Sequence, residues 1–462
     1  MEINIQEAVL YSRDKNSVFI SDLKEFLRIK SISTDSSYSS EMLRASNWIV
    51  DYIKTMKQSD AYLLETLKYP VVYGEISNQD NDKPTVLIYG HYDVQPPDPV
   101  DLWRNDPFDP FVENGSLFAR GASDMKGQLM VVLAAIKSIQ AIDEMPINIK
   151  FIVEGEEEIG SPNIKSFLEG NKDLFRSDFI LNLDAGMISR EKPTIVYGLR
   201  GLAYFELEIT GPGQDLHSGM FGGVVYNPIQ ALSEVIAGMK DHCGKIQLPG
   251  FYDDVLPLLD NEKQALQQLG MDEDFYLSQT GAKKIWGEKG FSPVECVGAR
   301  PTLDVNGING GYTGEGPKTV IPAKAYAKLS MRLVPNQTPD KVHEQLRKYL
   351  EENVPDQVNW SLKKLASDPA SLSDINFYAT QCFAKSIEET WGVPPVYQRG
   401  GGSIPIVSHF QEILNLESVL SGFSLPEDNI HSPNEKLDLE IFQKGIETVI
   451  HYFYQISKSC ER

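Results

Sequence analysis

Apolar positions along the chain follow two rhythms. Over residues 40–57 they recur at three- and four-residue spacing, which predicts an amphipathic helix. VVYGEI (71–76) and TVLIYG (85–90) are short, β-branched runs bounded by turn residues, and they predict strands. GQLMVVLAAIKSIQA (127–141) predicts a buried helix, and INIKFIV (147–153) and DFILNL (178–183) predict two more strands. Ser161 followed by Pro162 predicts a helix start, with serine as N-cap and proline in the first helical position. The Ser-rich stretch 32–40 reads as a loop between two helical patterns. Strands alternating with helices imply an α/β architecture of three layers around a mostly parallel sheet.

The rhythm changes near Arg200. GLAYFELEIT (201–210) alternates like a half-exposed strand, and AKAYAKLSMRLV (323–334) does so again. A helix is predicted over 339–351 and a strand over 357–364, while 245–317 reads as long and irregular, rich in Gly and Pro. Helical and strand patterns resume near Asp374, and a final helix is predicted over 438–457. The expected organisation is a first domain in two parts, 1–200 and 374–462, with an α+β domain, 201–373, inserted between them.

Charge narrows the partners. The 462 residues include 43 Lys+Arg against 65 Asp+Glu, a net −22, which argues against a nucleic-acid partner and an anionic membrane surface. The longest apolar run, Leu129–Ile136, is far short of the roughly 20 residues of a membrane span. Four cysteines, Cys243, Cys296, Cys382 and Cys460, share no CxxC spacing and read as free thiols. The start MEINIQEAVLYSRDKN has no basic segment followed by an apolar one, so a cytoplasmic protein is expected.

Candidate chemistry collects at predicted strand ends, where open α/β folds place their sites. His91 closes the strand TVLIYG, with Asp93 two residues on. A metal-bound imidazole commonly donates its other N–H to a carboxylate, and His-x-Asp suits that pairing. Asp124 lies in RGASDMKGQ just before the buried helix, where it fits an N-cap as well as a ligand. EGEEEIGS (154–161) sets three carboxylates side by side after a buried strand, a repulsion that solvent or a cation relieves. Asp184 follows DFILNL and reads alone as a turn residue; His431 in NIHSPNEK reads alone as a surface-loop histidine. Together they supply two imidazoles, several carboxylates and no thiolate, a donor set for zinc, manganese or cobalt. His242, His343, His409 and His451 have no supporting carboxylate pattern and read as structural.

The ordered motifs GHYDVQP (90–96), W-x-x-D-P-F (103–108), RGASDMKG, EEEIGS and HSPNE resemble the co-catalytic zinc metallopeptidase family of dipeptidases, aminoacylases and desuccinylases. The insert, with GPGQDLHSGMFGG (211–223) and KTVIP (318–322), resembles its cytosolic nonspecific dipeptidase and carnosinase branch. The resemblance covers about Leu87 to the C-terminal helix. It implies two divalent metals per chain, zinc first, with manganese or cobalt as alternatives. His91 and Asp184 would hold one, Glu158 and His431 the other, and Asp124 would bridge them, with a cis peptide at Asp124–Met125. Glu157 would be the general base and Asp93 would orient His91. The family's Glu-Glu-x-Gly-Ser pattern selects Glu157 and Glu158, though the triplet alone leaves Glu156–Glu157 open. Ala119 departs from the family, whose members usually have Gly there.

The insert would be a lid and dimerisation domain. His217 would reach the partner subunit's active site in a homodimer, and Thr319, Arg332 and Ser403 would hold the carboxylate of a small peptide. Read alone, Arg332 is equally a surface-strand arginine and Gly400–Gly402 an ordinary turn. The implied reaction is hydrolysis of dipeptides by a metal-activated water. The competing expectations are an N-acyl amino acid deacylase or a carboxypeptidase with the same dinuclear site, and a catalytically inactive binding protein on the same fold.

Overall fold

The computed structural model describes residues 2–78, 83–402 and 404–460. It divides into two compact units: Met1–Tyr197, Ser373–Tyr397 and His409–Arg462 form one, and Gly198–Leu372 with Gln398–Ser408 the other.

The first unit is built on a mixed sheet. Strands Thr85–His91, Asn148–Glu154, Phe179–Asn182 and Ser418–Ser421 run parallel at its centre. Val71–Ile76 and Ser59–Leu64 extend it antiparallel on one side, and Thr194–Leu199 on the other. The sheet is therefore parallel where the sequence patterning is strongest and antiparallel towards its margins.

The central strands are apolar over most of their inner positions because both faces are covered, with polar residues such as Thr85, Asn148 and Lys150 half-buried. Val86 and Ile88 join a large core with the helices Glu2–Asp14, Lys126–Ile142, Tyr378–Trp391 and Leu439–Cys460. Tyr89 points the other way, where its ring meets Phe410 edge-on at 5.6 Å. Helix Lys126–Ile142 is buried on nearly every side, as its unbroken apolar run requires. Among the described residues no helix is long and apolar enough to cross a membrane.

The second unit carries a four-stranded antiparallel sheet in the order Thr302–Gly310, Lys324–Leu333, Gly201–Thr210, Asn359–Asp368. Gly201–Thr210 alternates buried and half-buried along its whole length, the period-two pattern of a strand packed on one face. Helices Pro228–Gly238 and Pro339–Asn353 cover that face.

Two local expectations are corrected. Helix Ile164–Asn171 starts later than Ser161–Pro162 suggests, with Asn163 at its N-cap. Ser161 has φ 48 and donates its hydroxyl to the buried Glu154 at 2.9 Å, so it is not capping a helix. The stretch 245–317 is also more ordered than its composition suggests. It contains helices Asp260–Gln268, Glu273–Thr280 and Pro293–Gly298 and the strand Thr302–Gly310. These helices are short and the strand is mostly exposed, so neither leaves a strong apolar period.

Candidate metal centre

The four parallel strands of the first unit end at one edge, and the loops leaving them carry the candidate donors. Thr85–His91 delivers His91 directly. Asn148–Glu154 leads into the single turn Glu157–Ile159, and Phe179–Asn182 leads to Asp184. Asp124 precedes helix Lys126–Ile142, whose N-cap position is Met125, so its carboxylate is free of capping duty. The Asp124–Met125 peptide is cis.

These residues converge in two groups that share Asp124. His91, Asp124 and Asp184 form one, and Asp124, Glu158 and His431 the other, with the donor atoms of each group within 4.8 Å of one another. Asp124 faces them with different oxygens. His91 Nε2 lies 3.1 Å from Oδ1 and His431 Nε2 lies 2.9 Å from Oδ2. Asp184 Oδ1 is 3.8 Å from His91 Nε2, and Glu158 Oε2 is 3.2 Å from His431 Nε2. His431 has φ 59, a backbone conformation uncommon outside glycine.

Asp93 links the two halves. His91 Nδ1 lies 3.0 Å from its main-chain carbonyl oxygen and 3.3 Å from its Oδ1. The main-chain carbonyl takes the Nδ1 proton, so Nε2 is the ring atom that faces the cluster. Asp93 Oδ2 also accepts the Glu158 main-chain N–H at 3.1 Å.

The acidic triplet separates cleanly. Glu156 is buried and turned away, accepting from Tyr69 N at 2.9 Å and Asn163 Nδ2 at 2.6 Å. Glu158 faces His431 and accepts from Gln95 N at 3.1 Å and Gln95 Nε2 at 2.8 Å. Among the described residues, no donor holds the Glu157 carboxylate.

The electrostatics are those of crowded buried charge. Burial pushes Glu157 well above the usual carboxylate range, and Asp184, Glu158 and Asp124 add to the rise. Glu158 and Asp184 are raised by burial too. For Asp124 burial acts the same way, but hydrogen bonds from His431 and His91 outweigh it and hold the acid low. His431 is pushed up to about 10 by Asp124 and then Glu158. Burial opposes the charging of His91, yet Asp124, Asp184 and Asp93 together raise it well above an ordinary imidazole. A site so rich in negative charge is stabilised by positive charge at its middle.

Sequence reasoning missed two supporting residues. Gln95 grips Glu158 as described. Glu435 is fully buried and accepts from Arg120 Nη1 at 2.8 Å, Gly121 N at 2.8 Å, Ser123 N at 2.9 Å and Asp124 N at 3.1 Å. It fastens the loop that presents Asp124. Both lie inside quoted motifs, HYDVQP and HSPNE, and that placement was the available signal.

The remaining predicted residues belong to the second unit. His217 is exposed, and its Nδ1 accepts from Gly219 N at 2.9 Å, which leaves the proton of the neutral ring on Nε2, facing outward. The exposed Thr319 accepts through its carbonyl from Ser218 N at 3.0 Å, so it stands beside His217. Arg332 is half-buried on strand Lys324–Leu333, opposite Thr302. Ser403 lies outside the described residues. Of the histidines read as structural, His343 stacks on Phe205 at 5.5 Å and His451 Nδ1 lies 2.8 Å from Glu389.

Comparison with known proteins bears on this geometry. The pattern of peptidase family M20/M25/M40 matches residues 87–455. The chain is 33% identical to Cys-Gly metallodipeptidase DUG1 of Candida albicans, over 96% of this chain and 95% of the relative. It is 34% identical to Beta-Ala-His dipeptidase of Homo sapiens, over 84% of this chain and 78% of the relative. The crystal structure of the M20 family metallo-carboxypeptidase Sso-CP2 from Sulfolobus solfataricus superposes with a TM-score of 0.84 at 32% identity, over 95% of this chain and 99% of that one.

Proposed function

Since the chain belongs to peptidase family M20/M25/M40, we propose that it hydrolyses the peptide bond of dipeptides with two divalent metal ions. The observation that carries this reading is the pair of three-donor groups sharing Asp124. The donor chemistry fits, because imidazole nitrogens and carboxylate oxygens without thiolate suit zinc, manganese or cobalt. Zinc is the metal proposed, with manganese and cobalt as alternatives. His91 and Asp184 would hold one ion, Glu158 and His431 the other, and Asp124 would be shared by both. Bound there, such ions polarise a carbonyl and acidify water.

The chain's own residues then divide the work. Glu157 takes the proton of the attacking water and returns it to the leaving amine. Its carboxylate, held by no donor among the described residues, suits both steps. Asp93 fixes the tautomer of His91. His217 donates its outward Nε2–H to the carbonyl oxygen as negative charge develops there. It does so at the partner subunit's centre in a homodimer. Thr319, Arg332 and Ser403 hold the substrate's main-chain carboxylate, for which the planar guanidinium of Arg332 is shaped.

Dipeptides are proposed because the two relatives described above are both named dipeptidases. The likeness to a metallo-carboxypeptidase favours a second reading, release of a C-terminal residue from longer peptides. A cytoplasmic location is proposed from the unpaired thiols Cys243, Cys296 and Cys382, which suit a reducing compartment.

A panel of dipeptides, tripeptides and N-acetyl amino acids, assayed with and without chelator and added metals, tests the reading. Chelator-sensitive cleavage of dipeptides with about two ions per chain is expected. Turnover unaffected by complete metal removal would sink it, and a preference for longer peptides would favour the carboxypeptidase. Mixing His217→Ala and Glu157→Gln subunits tests the dimer. Recovery of activity supports the action of His217 across subunits, and failure of exchanged subunits to recover rejects it.

A further inference from the structure

The segment EGEEEIGS holds two glutamates that the proposed reaction does not use, Glu154 and Glu156. Both are buried, at 1% and 4% exposure. They grip opposite ends of the turn that carries Glu157 and Glu158. Glu156 fixes its start, accepting from Tyr69 N at 2.9 Å and Asn163 Nδ2 at 2.6 Å. Glu154 is the last residue of strand Asn148–Glu154, and it reaches across to the far end of the turn. Its Oε1 accepts the Ser161 hydroxyl at 2.9 Å and the Tyr89 hydroxyl at 3.0 Å. Tyr89 stands on the neighbouring parallel strand with its ring edge-on to Phe410, so Glu154 is anchored in the sheet.

Main-chain bonds shape the turn between these grips. Ile159 N and Ser161 N both donate to the Glu156 carbonyl, at 3.2 and 2.8 Å, and Gly160 N donates to the Glu157 carbonyl at 2.8 Å. Gly160 has φ 83 and Ser161 has φ 48, two left-handed residues in succession. Serine adopts that conformation only where its surroundings enforce it. The bond to Glu154, with Ser161 5% exposed, supplies the enforcement.

The two glutamates inside the turn differ in what else holds them. Glu158 is fixed from outside it: its carboxylate accepts from Gln95 N and Gln95 Nε2, and its N–H donates to Asp93 Oδ2 at 3.1 Å. Among the described residues no donor holds the Glu157 carboxylate, so the main chain of the turn sets its direction. Releasing the end of the turn therefore moves Glu157 and leaves Glu158 in place.

We propose that Glu154 is a positioning residue for the general base: through the Ser161 hydroxyl it closes the turn and aims Glu157. This inference rests on the role of Glu157 in the proposed hydrolysis and adds a residue to it.

The test uses the zinc-loaded full chain and the peptide of the panel above that it cleaves best. Ser161→Ala removes the hydroxyl alone. It should lower kcat about ten- to hundredfold, the scale of a slightly misplaced reacting group. KM should stay within about twofold, because the lost interaction acts on the chemical step. Zinc content by elemental analysis should not change. Glu154→Met should behave alike, and the double variant should fall no further than either alone. Glu154→Gln should keep nearly full kcat, since its amide oxygen accepts both hydroxyls. Where Glu154→Met fails to fold, Ser161→Ala and Glu154→Gln decide. An unchanged kcat in Ser161→Ala, a loss of kcat matched by lost zinc, or a Glu154→Gln variant as impaired as Ser161→Ala overturns the inference and leaves the hydrolase reading standing. A fully active Glu157→Gln variant removes the base itself, and this inference fails with it.

Discussion

Replacing Glu435 with alanine removes the acceptor on which the Asp124 loop is hung. In the folded protein its carboxylate receives Arg120 Nη1 and the amides of Gly121, Ser123 and Asp124, all between 2.8 and 3.1 Å. Glu435 and Arg120 are 0% and 1% exposed, so solvent cannot take over these bonds. Stranding one charge of a buried pair costs about 3–5 kcal/mol. The three amides add to this, though not additively, since each orphaned buried donor costs about 1–3 kcal/mol. The expected loss is therefore about 5 kcal/mol, the upper end of the range for a broken pair. Urea unfolding of metal-free protein, followed by circular dichroism at pH 7, measures it. The double variant Arg120→Met with Glu435→Leu should recover much of the loss, because no charge is then left without its partner. A loss below about 1 kcal/mol for Glu435→Ala, the scale of an ordinary substitution, would refute the argument.

Three further outcomes follow from the same geometry. Glu157→Gln should keep the metal content measured by elemental analysis and lower kcat by about 10²–10⁴; a fully active variant ends the assignment. Burial raises the pKa of Asp428 to about 6. The folded state therefore binds that proton more tightly than the unfolded chain, and the contribution is full below roughly pH 4 and lost as pH rises through about 6. Asp428→Asn should accordingly gain stability relative to the unaltered protein between pH 4 and 7 in urea titrations, and a pH-independent difference would contradict this. A Cβ at Gly422 would meet the Ala185 carbonyl oxygen at 1.7 Å and that of Leu183 at 2.7 Å. Gly422→Ala should thus displace the segment carrying Asp184, cost about 1–3 kcal/mol or more, and weaken metal uptake in a titration; unchanged uptake and stability would show that the segment yields freely.

Legibility in the sequence followed burial. Thr85–His91 and Phe179–Asn182 were readable because both faces of the sheet are covered, so Val86–Tyr89 and Phe179–Leu181 form unbroken apolar runs. Gly201–Thr210 was readable because one face alone is covered and the alternation is unbroken. Thr302–Gly310 was not readable. It is an edge strand held by main-chain hydrogen bonds to Lys324–Leu333, and main-chain bonding leaves no trace in side-chain pattern.

The sequence by itself determined which residue types were available for chemistry, and the order of its motifs named them. The triplet alone could not show which carboxylates of Glu156–Glu158 face the cluster, because adjacent glutamates in a loop are chemically alike, and only the resemblance pointed to Glu157 and Glu158. Their placement is set by tertiary contacts. Tyr69 and Asn163 supply donors that hold Glu156 away from the cluster, while Gln95 and His431 draw Glu158 into it. Nor could spacing reveal Glu435, whose partners lie more than 300 residues earlier in the chain. Donors so far apart meet because four parallel strands end at one edge, and the hydrogen bonds beneath them set where each oxygen points.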